Sequence, residues 1–226
     1  MNTVTRTRSR ARKVLVLSSL LLLPVVALAG IVYGPELVRL VQLGQQIEQE
    51  AQDDARVAGA WPRTSDACIG CHGVEGNART QTYPSLAGQP EAYLKQQLTA
   101  FASGERSDPT MTPLALSMSA PELDGLAAYF SKMQPQPNTR FHADAARVAR
   151  GEALAKANNC AACHGAQLEG KGGYPRLAGQ GHDYLRDQLT RFKNGTRYDA
   201  TGAMPAIAGA LSPQDIDDLS QFIASR

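Results

Sequence analysis

Two short stretches decide the reading: Cys68-Ile69-Gly70-Cys71-His72-Gly73 and Cys160-Ala161-Ala162-Cys163-His164-Gly165, one Cys-x-x-Cys-His pattern repeated at an offset of 92. They hold all four cysteines of the 226-residue chain. Two thiols three positions apart can each add to a vinyl group of one haem, and the imidazole that follows can then reach the iron. Two other chemistries use paired cysteines, a redox disulfide and a zinc site built from both pairs. The pairs lie about 90 residues apart, each with its own histidine. A shared zinc site would need neither histidine, and a thioredoxin-like motif would follow a strand, so the pattern favours covalent haem attachment.

The repeat extends well beyond the cysteines. Tyr83-Pro84-Ser85-Leu86-Ala87-Gly88-Gln89 returns as Tyr174-Pro175-Arg176-Leu177-Ala178-Gly179-Gln180 at an offset of 91. At the same offset Tyr93, Gln97-Leu98, Phe101, Gly104 and Arg106 return as Tyr184, Gln188-Leu189, Phe192, Gly195 and Arg197. After a small insertion in the second copy, Met111 matches Met204 and Tyr129 matches Phe222, both at 93. The chain therefore carries two similar domains, expected at 63–134 and 144–226 with a Pro-containing linker at 135–143. Domains of roughly 75 to 90 residues are close to the lower limit for a self-sufficient core, so a bound group must help to fill each interior.

Legible periodicity in both copies is helical, and the expected fold class is all-α. Pro90 to about Ser103 puts Tyr93, Leu94, Leu98 and Phe101 on one side, and Pro121 to Met133 does the same with Leu123, Leu126 and Phe130. Ser119 with Glu122, and Ser212 with Asp215, have capping-box spacing, with Pro121 and Pro213 just inside the helix starts. A further helix is expected from about Asp144 to Asn158, and no stretch shows a convincing period of two.

Charge is partitioned along the chain. The formal net charge is +2, yet Arg6, Arg8, Arg10, Arg12 and Lys13 leave the remainder with 18 positive and 21 negative side chains, a net of −3. This basic tail, 1–13, precedes an uncharged run at 14–34, VLVLSSLLLLPVVALAGIVYG, of 21 residues, about the ~20 that span a bilayer core. The positive flank places the tail in the cytoplasm and the rest outside. Ala27-Leu28-Ala29 resembles a signal-peptidase site, so the segment is either a retained transmembrane helix or a cleaved signal. The run continues past that site through Tyr33, which favours the anchor. Residues 35–62 read as an acidic spacer helix ending at Trp61-Pro62. The exported body, mildly acidic and without a basic patch, argues against a nucleic-acid partner, and the composition excludes disordered, collagenous and disulfide-knit classes.

Candidates for the sixth iron ligand follow from scarcity. Apart from Met1 the methionines are Met111, Met118, Met133 and Met204, so the second domain has one thioether, Met204, about 40 residues after His164. The repeat carries the role to Met111. The competing reading is that both are gap-filling core residues. With His72 and His164 on the other side, His/Met ligation would favour the ferrous state and close the iron to small ligands. His142 and His182 have no repeat partner and are expected to be exposed.

Together these elements resemble the dihaem class I cytochromes of the cytochrome c4 type, over about residues 64 to 226. The resemblance implies two all-helical cytochrome c folds related by a pseudo-twofold, two haem c groups attached through Cys68, Cys71, Cys160 and Cys163, and iron ligation by His72, Met111, His164 and Met204. It further implies that the carbonyls of Pro84 and Pro175 orient the histidines and that Arg106 and Arg197 lie near haem propionates. The expectation is an electron-transfer protein rather than an enzyme, in the periplasm of a bacterium. It would take electrons from a quinol-oxidising complex or dehydrogenase and pass them to a terminal oxidase. A cytochrome subunit of a membrane dehydrogenase or oxidase complex is the alternative, followed by a dihaem peroxidase-like or thiosulfate-oxidising enzyme. Typical members are soluble after signal removal, and the retained anchor would be a departure.

Overall fold

The computed structural model describes residues 64–226, together with 33–35, 37–42, 44, 45, 48 and 52. The chain divides into two compact units, 1–59 and 60–226. In the first, every described residue is helical, and Leu37, Val38, Leu40 and Val41 are exposed. The basic tail and the apolar run at 14–34 lie outside the described residues except for Tyr33 and Gly34, as does the end of the expected spacer. Among the described residues no helix is long and apolar enough to cross a membrane.

The second unit is all-α. A 3-10 turn at Thr64–Cys68 leads into α1 (Ile69–His72), followed by α2 (Glu91–Ser103), α3 (Met111–Leu116) and α4 (Ala120–Lys132). The second half runs α5 (Ala145–Ala157), α6 (Ala161–His164), α7 (His182–Lys193), α8 (Ala203–Ala210) and α9 (Pro213–Ala224). Among the described residues extended pairing is confined to an isolated bridge between Lys171 and Tyr174.

The helix starts are written locally. At Ser119 and at Ser212 the serine hydroxyl and the N3 carboxylate cap each other's backbone, with Pro121 and Pro213 in the first turn. Asp144 accepts from the Arg147 amide at 2.9 Å and starts α5. These caps satisfy amides that a helix leaves open. Each half then gathers one apolar cluster. Leu94 of α2 packs with Leu126, Ala127 and Phe130 of α4, and Leu185 of α7 with Ile216, Leu219, Phe222 and Ile223 of α9.

In the second half α5 crosses α9 at very close range. A Cβ on Gly151 would run into the Asp218 carbonyl oxygen and come within 2.7 Å of the Phe222 Cβ, so only hydrogen fits. The crossing is also tied by Arg150, whose Nε is 2.7 Å from the Asp218 carboxylate. Gly151→Ala should therefore push two backbones apart and destabilise the second domain by about 3 kcal/mol. Its thermal transition would fall while the first domain's stays in place, and an unchanged transition would contradict this packing. The residues that the repeat offset pairs with α5, 53–65, lie almost wholly outside the described residues.

The two halves meet through a reciprocal exchange. Gln89 gives its amide to the Arg176 carbonyl at 2.8 Å and accepts from the Arg176 N–H at 2.9 Å. Gln180 repeats this on Ser85, at 2.9 and 2.6 Å. Both glutamines are 3% exposed. The joining segment is pinned as well. Asn138 and Gln81 exchange side-chain amide bonds at 3.0 Å, and Asn77 holds the backbone at Gln134 and Gln136.

Candidate haem-binding site

Each Cys-x-x-Cys-His motif forms a single helical turn, α1 or α6, ended by glycine. Gly73 and Gly165 have φ of 78° and 88°. A Cβ on Gly73 would meet the Asn77 carbonyl, which explains why glycine follows each histidine. The turn directs both cysteines and the histidine to one side. All four thiols are free. Burial raises the thiol pKa of Cys68 and of Cys160, as apolar walls do to any group that must ionise.

The histidines are oriented identically. His72 Nδ1 lies 2.8 Å from the Pro84 carbonyl, and His164 Nδ1 lies 2.9 Å from that of Pro175. A carbonyl can only accept, so Nδ1 carries the hydrogen and Nε2 keeps its lone pair for a metal. Burial pulls the pKa of both rings down, the carbonyl contacts opposing it. That keeps the rings neutral, as ligation requires. Edge-on contacts from Tyr83 and Tyr174, with centroids at 6.4 and 6.2 Å, hold the ring planes.

One cavity of about 1140 Å³ runs through both domains, and its walls include every candidate named from the sequence: Cys68, Cys71, His72, Pro84, Arg106 and Met111, then Cys160, Cys163, His164, Pro175, Arg197 and Met204. Met111 and Met204 sit at the starts of α3 and α8. Asp108 accepts from the Met111 amide at 2.9 Å and Asp199 from the Met204 amide at 3.2 Å. These two carboxylates, which carried no signal on their own, fix where each methionine begins its helix. Met118 packs against the first core cluster, as a residue aligned with Leu211 should.

Arg106 and Arg197 form a second exchange between the domains. Arg106 reaches Gln97 at 2.7 Å in its own half, and Gln188 at 2.8 Å and the Tyr184 hydroxyl at 3.3 Å in the other. Arg197 mirrors it on Gln188 at 2.6 Å, Gln97 at 3.1 Å and Tyr93 at 3.2 Å. Each guanidinium also covers a phenylalanine, Phe101 at 4.5 Å and Phe192 at 4.6 Å from the ring centroid. The flanking guanidiniums pull the Tyr184 phenol pKa down against the effect of its burial.

His182 departs from expectation. It is 7% exposed, stacks on Phe141 at 5.0 Å, and lies 3.0 Å from Asp183 and 3.2 Å from Asp217. A histidine without a repeat partner thus serves the second domain's packing. His142 is exposed.

The donor set fits a haem in each half. The cavity lining in each half includes two thiols, a histidine and a methionine. A buried guanidinium nitrogen lining the cavity, Arg197 Nε, lacks any acceptor, as expected where an acidic group of a ligand belongs. Among the described residues no group of three or more His, Cys, Asp or Glu side chains is arranged to hold a metal ion.

Comparison with known proteins agrees. The family model described as cytochrome c matches residues 63–134 and again 148–226. A cytochrome c4 of Pseudomonas aeruginosa is 36% identical over 177 residues, 74% of this chain and 87% of that protein. A thiosulfate dehydrogenase electron acceptor of Thiomonas intermedia is 34% identical over 177 residues, 74% of this chain and 82% of that protein. The crystal structure of reduced cytochrome c4 from Pseudomonas stutzeri superposes with a TM-score of 0.66 at 33% identity, covering 71% of this chain and 94% of that one. The chain belongs to the cytochrome c family, as a two-domain member of the cytochrome c4 type with two covalently bound haem c groups.

Proposed function

We propose that this protein is a dihaem electron carrier, with Cys68 and Cys71 holding one haem and Cys160 and Cys163 the other. The carrying observation is the continuous cavity that presents a histidine and a methionine in each half. When bound, the two haems supply reversible one-electron chemistry between ferrous and ferric iron. His72 and His164, kept neutral and oriented by Pro84 and Pro175, would each hold one iron through Nε2. Met111 and Met204 would each supply a thioether to one iron, leaving no ligand position for peroxide or another small substrate. Arg106 and Arg197 would serve the propionates at the seam between the domains, where their hydrogen bonds go to neutral tyrosines and glutamines.

The donor is a quinol-oxidising complex or a dehydrogenase and the acceptor a terminal oxidase. The relative that accepts electrons from thiosulfate dehydrogenase makes an inorganic-sulfur dehydrogenase a specific candidate donor. The uncharged run at 14–34 supports a single-pass anchor in the cytoplasmic membrane, with the haem domains in the periplasm. A native N-terminus beginning at Gly30 would instead mean a cleaved signal and a freely diffusing carrier.

Exposure to carbon monoxide separates a carrier from an enzyme. The reduced protein should leave both haem spectra unchanged on mixing, because Met111 and Met204 would hold the irons against an added ligand. Prompt binding at either haem would place an open site there and favour the peroxidase-like reading.

A further inference from the structure

Position 176 breaks the symmetry of the site. The side chains that exchange reciprocally across the seam have like partners in the opposite half, Gln89 with Gln180, Arg106 with Arg197 and Tyr93 with Tyr184. Arg176 instead corresponds to Ser85. Its side chain does not escape to solvent, since the residue is 7% exposed. One terminal nitrogen donates to the Ala87 carbonyl of the first domain at 3.1 Å, and the other to the Ala178 carbonyl of the second. Ala87 and Ala178 are equivalent positions in the two Leu-Ala-Gly-Gln elements. The guanidinium therefore bridges matching points of the two halves, next to the axis that relates them.

The charge there is uncompensated by the protein. Both acceptors are neutral carbonyls, and Nε has no acceptor. Burial alone pulls the pKa down to about 10, the mark of a cation held without a carboxylate. Arg176 also lines the haem cavity, and the residue before it orients one of the two histidines. Pro175 holds His164, while the Arg176 backbone is clasped by Gln89. A lone cation costs desolvation energy, and mere docking does not need it, because the opposite half makes the same glutamine bonds through a serine.

We propose that Arg176 is a shared redox-tuning residue, a single buried positive charge near the pseudo-twofold axis that raises the reduction potentials of both haems together. A fixed positive charge in a poorly screened interior disfavours the oxidised, more positive state of any nearby centre. Its placement between equivalent carbonyls means that it acts on both centres. This rests on the dihaem carrier reading and adds a residue that the family resemblance did not assign.

Spectroelectrochemical titration of the holoprotein tests it with three variants. Arg176→Gln keeps hydrogen-bonding capacity without charge, Arg176→Met keeps length alone, and Arg176→Lys keeps the charge. Gln and Met should each lower both midpoint potentials, shifting the oxidised-to-reduced ratio at each haem about tenfold, ~59 mV, whereas Lys should stay near wild type. Unmoved potentials in the Gln variant, a shift confined to one haem, or a Lys variant that behaves like Met would each overturn the proposal. Should a variant lose its fold, its haem spectrum and thermal transition would show it, and the Lys against Gln comparison still decides. A wild type without two reversible one-electron couples would defeat the carrier reading instead.

Discussion

Replacing Cys160 and Cys163 together with serine should leave a protein with one haem whose second domain is unfolded. The cavity through both domains measures about 1140 Å³, so each half has several hundred cubic ångströms of core that side chains do not fill. At roughly 24 cal/mol per Å³ of void, half of that volume left dry costs on the order of the 5–15 kcal/mol that stabilises a whole domain. Flooding it with water would instead wet Leu185, Leu219 and Ile223, which bound the second half of the cavity. Neither outcome leaves a stable fold. Limited proteolysis should therefore cut between 144 and 226 while leaving 64–134 intact, with haem content halved. A double-serine variant that resists protease like the wild type would show that the side chains alone carry the core.

Met204→Ala should change the second haem as strongly without unfolding it. The thioether stands at the start of α8, where the Asp199 carboxylate holds the Met204 amide at 3.2 Å, so truncation spares the backbone. It removes the sixth ligand, and with it the preference of His/Met ligation for ferrous iron. The potential of that haem should fall by at least about 120 mV, a hundredfold in the ferric-to-ferrous ratio at ~59 mV per tenfold. The site should also begin to bind carbon monoxide. Met204→His should lower the potential too while keeping the site closed. Met111→Ala should do the same to the first haem, and Met118→Leu, at a position whose counterpart is Leu211 and which packs on the core, should do neither. An unchanged potential and spectrum in Met204→Ala would remove the methionine from the iron.

Much of this was legible in the sequence because the deciding features are local. Two thiols and an imidazole within five residues need no tertiary contact to be recognised, and Ser119 with Glu122 needs only helix geometry. The repeat then carried each assignment to the other half. What stayed hidden depends on partners far along the chain. Gln89 and Gln180 stood out only as members of the repeat, since the backbone each one clasps lies 87 and 95 positions away. Arg176 was obscured by the repeat itself, being paired with Ser85. Arg106 and Arg197 illustrate a partial reading, since the pattern marked them and the structure places them across the seam on the opposite domain's tyrosine and glutamine. His182 misled for a related reason. Its missing repeat partner suggested a solvated position, but Asp217, on a helix 35 residues later, draws it inward. The short α3 and α8 have too few turns to show a period, and their starts are set by Asp108 and Asp199.

Each half of the chain is expected to bind one haem covalently and to close its iron with its own histidine and methionine. Reductive titration of the purified full-length chain, followed by absorbance and ended by haem quantification, tests it most directly. The prediction is two haem c per chain, two reversible one-electron steps, and low-spin spectra in both oxidation states. A single haem, a single electron, or a high-spin component at either site would contradict it.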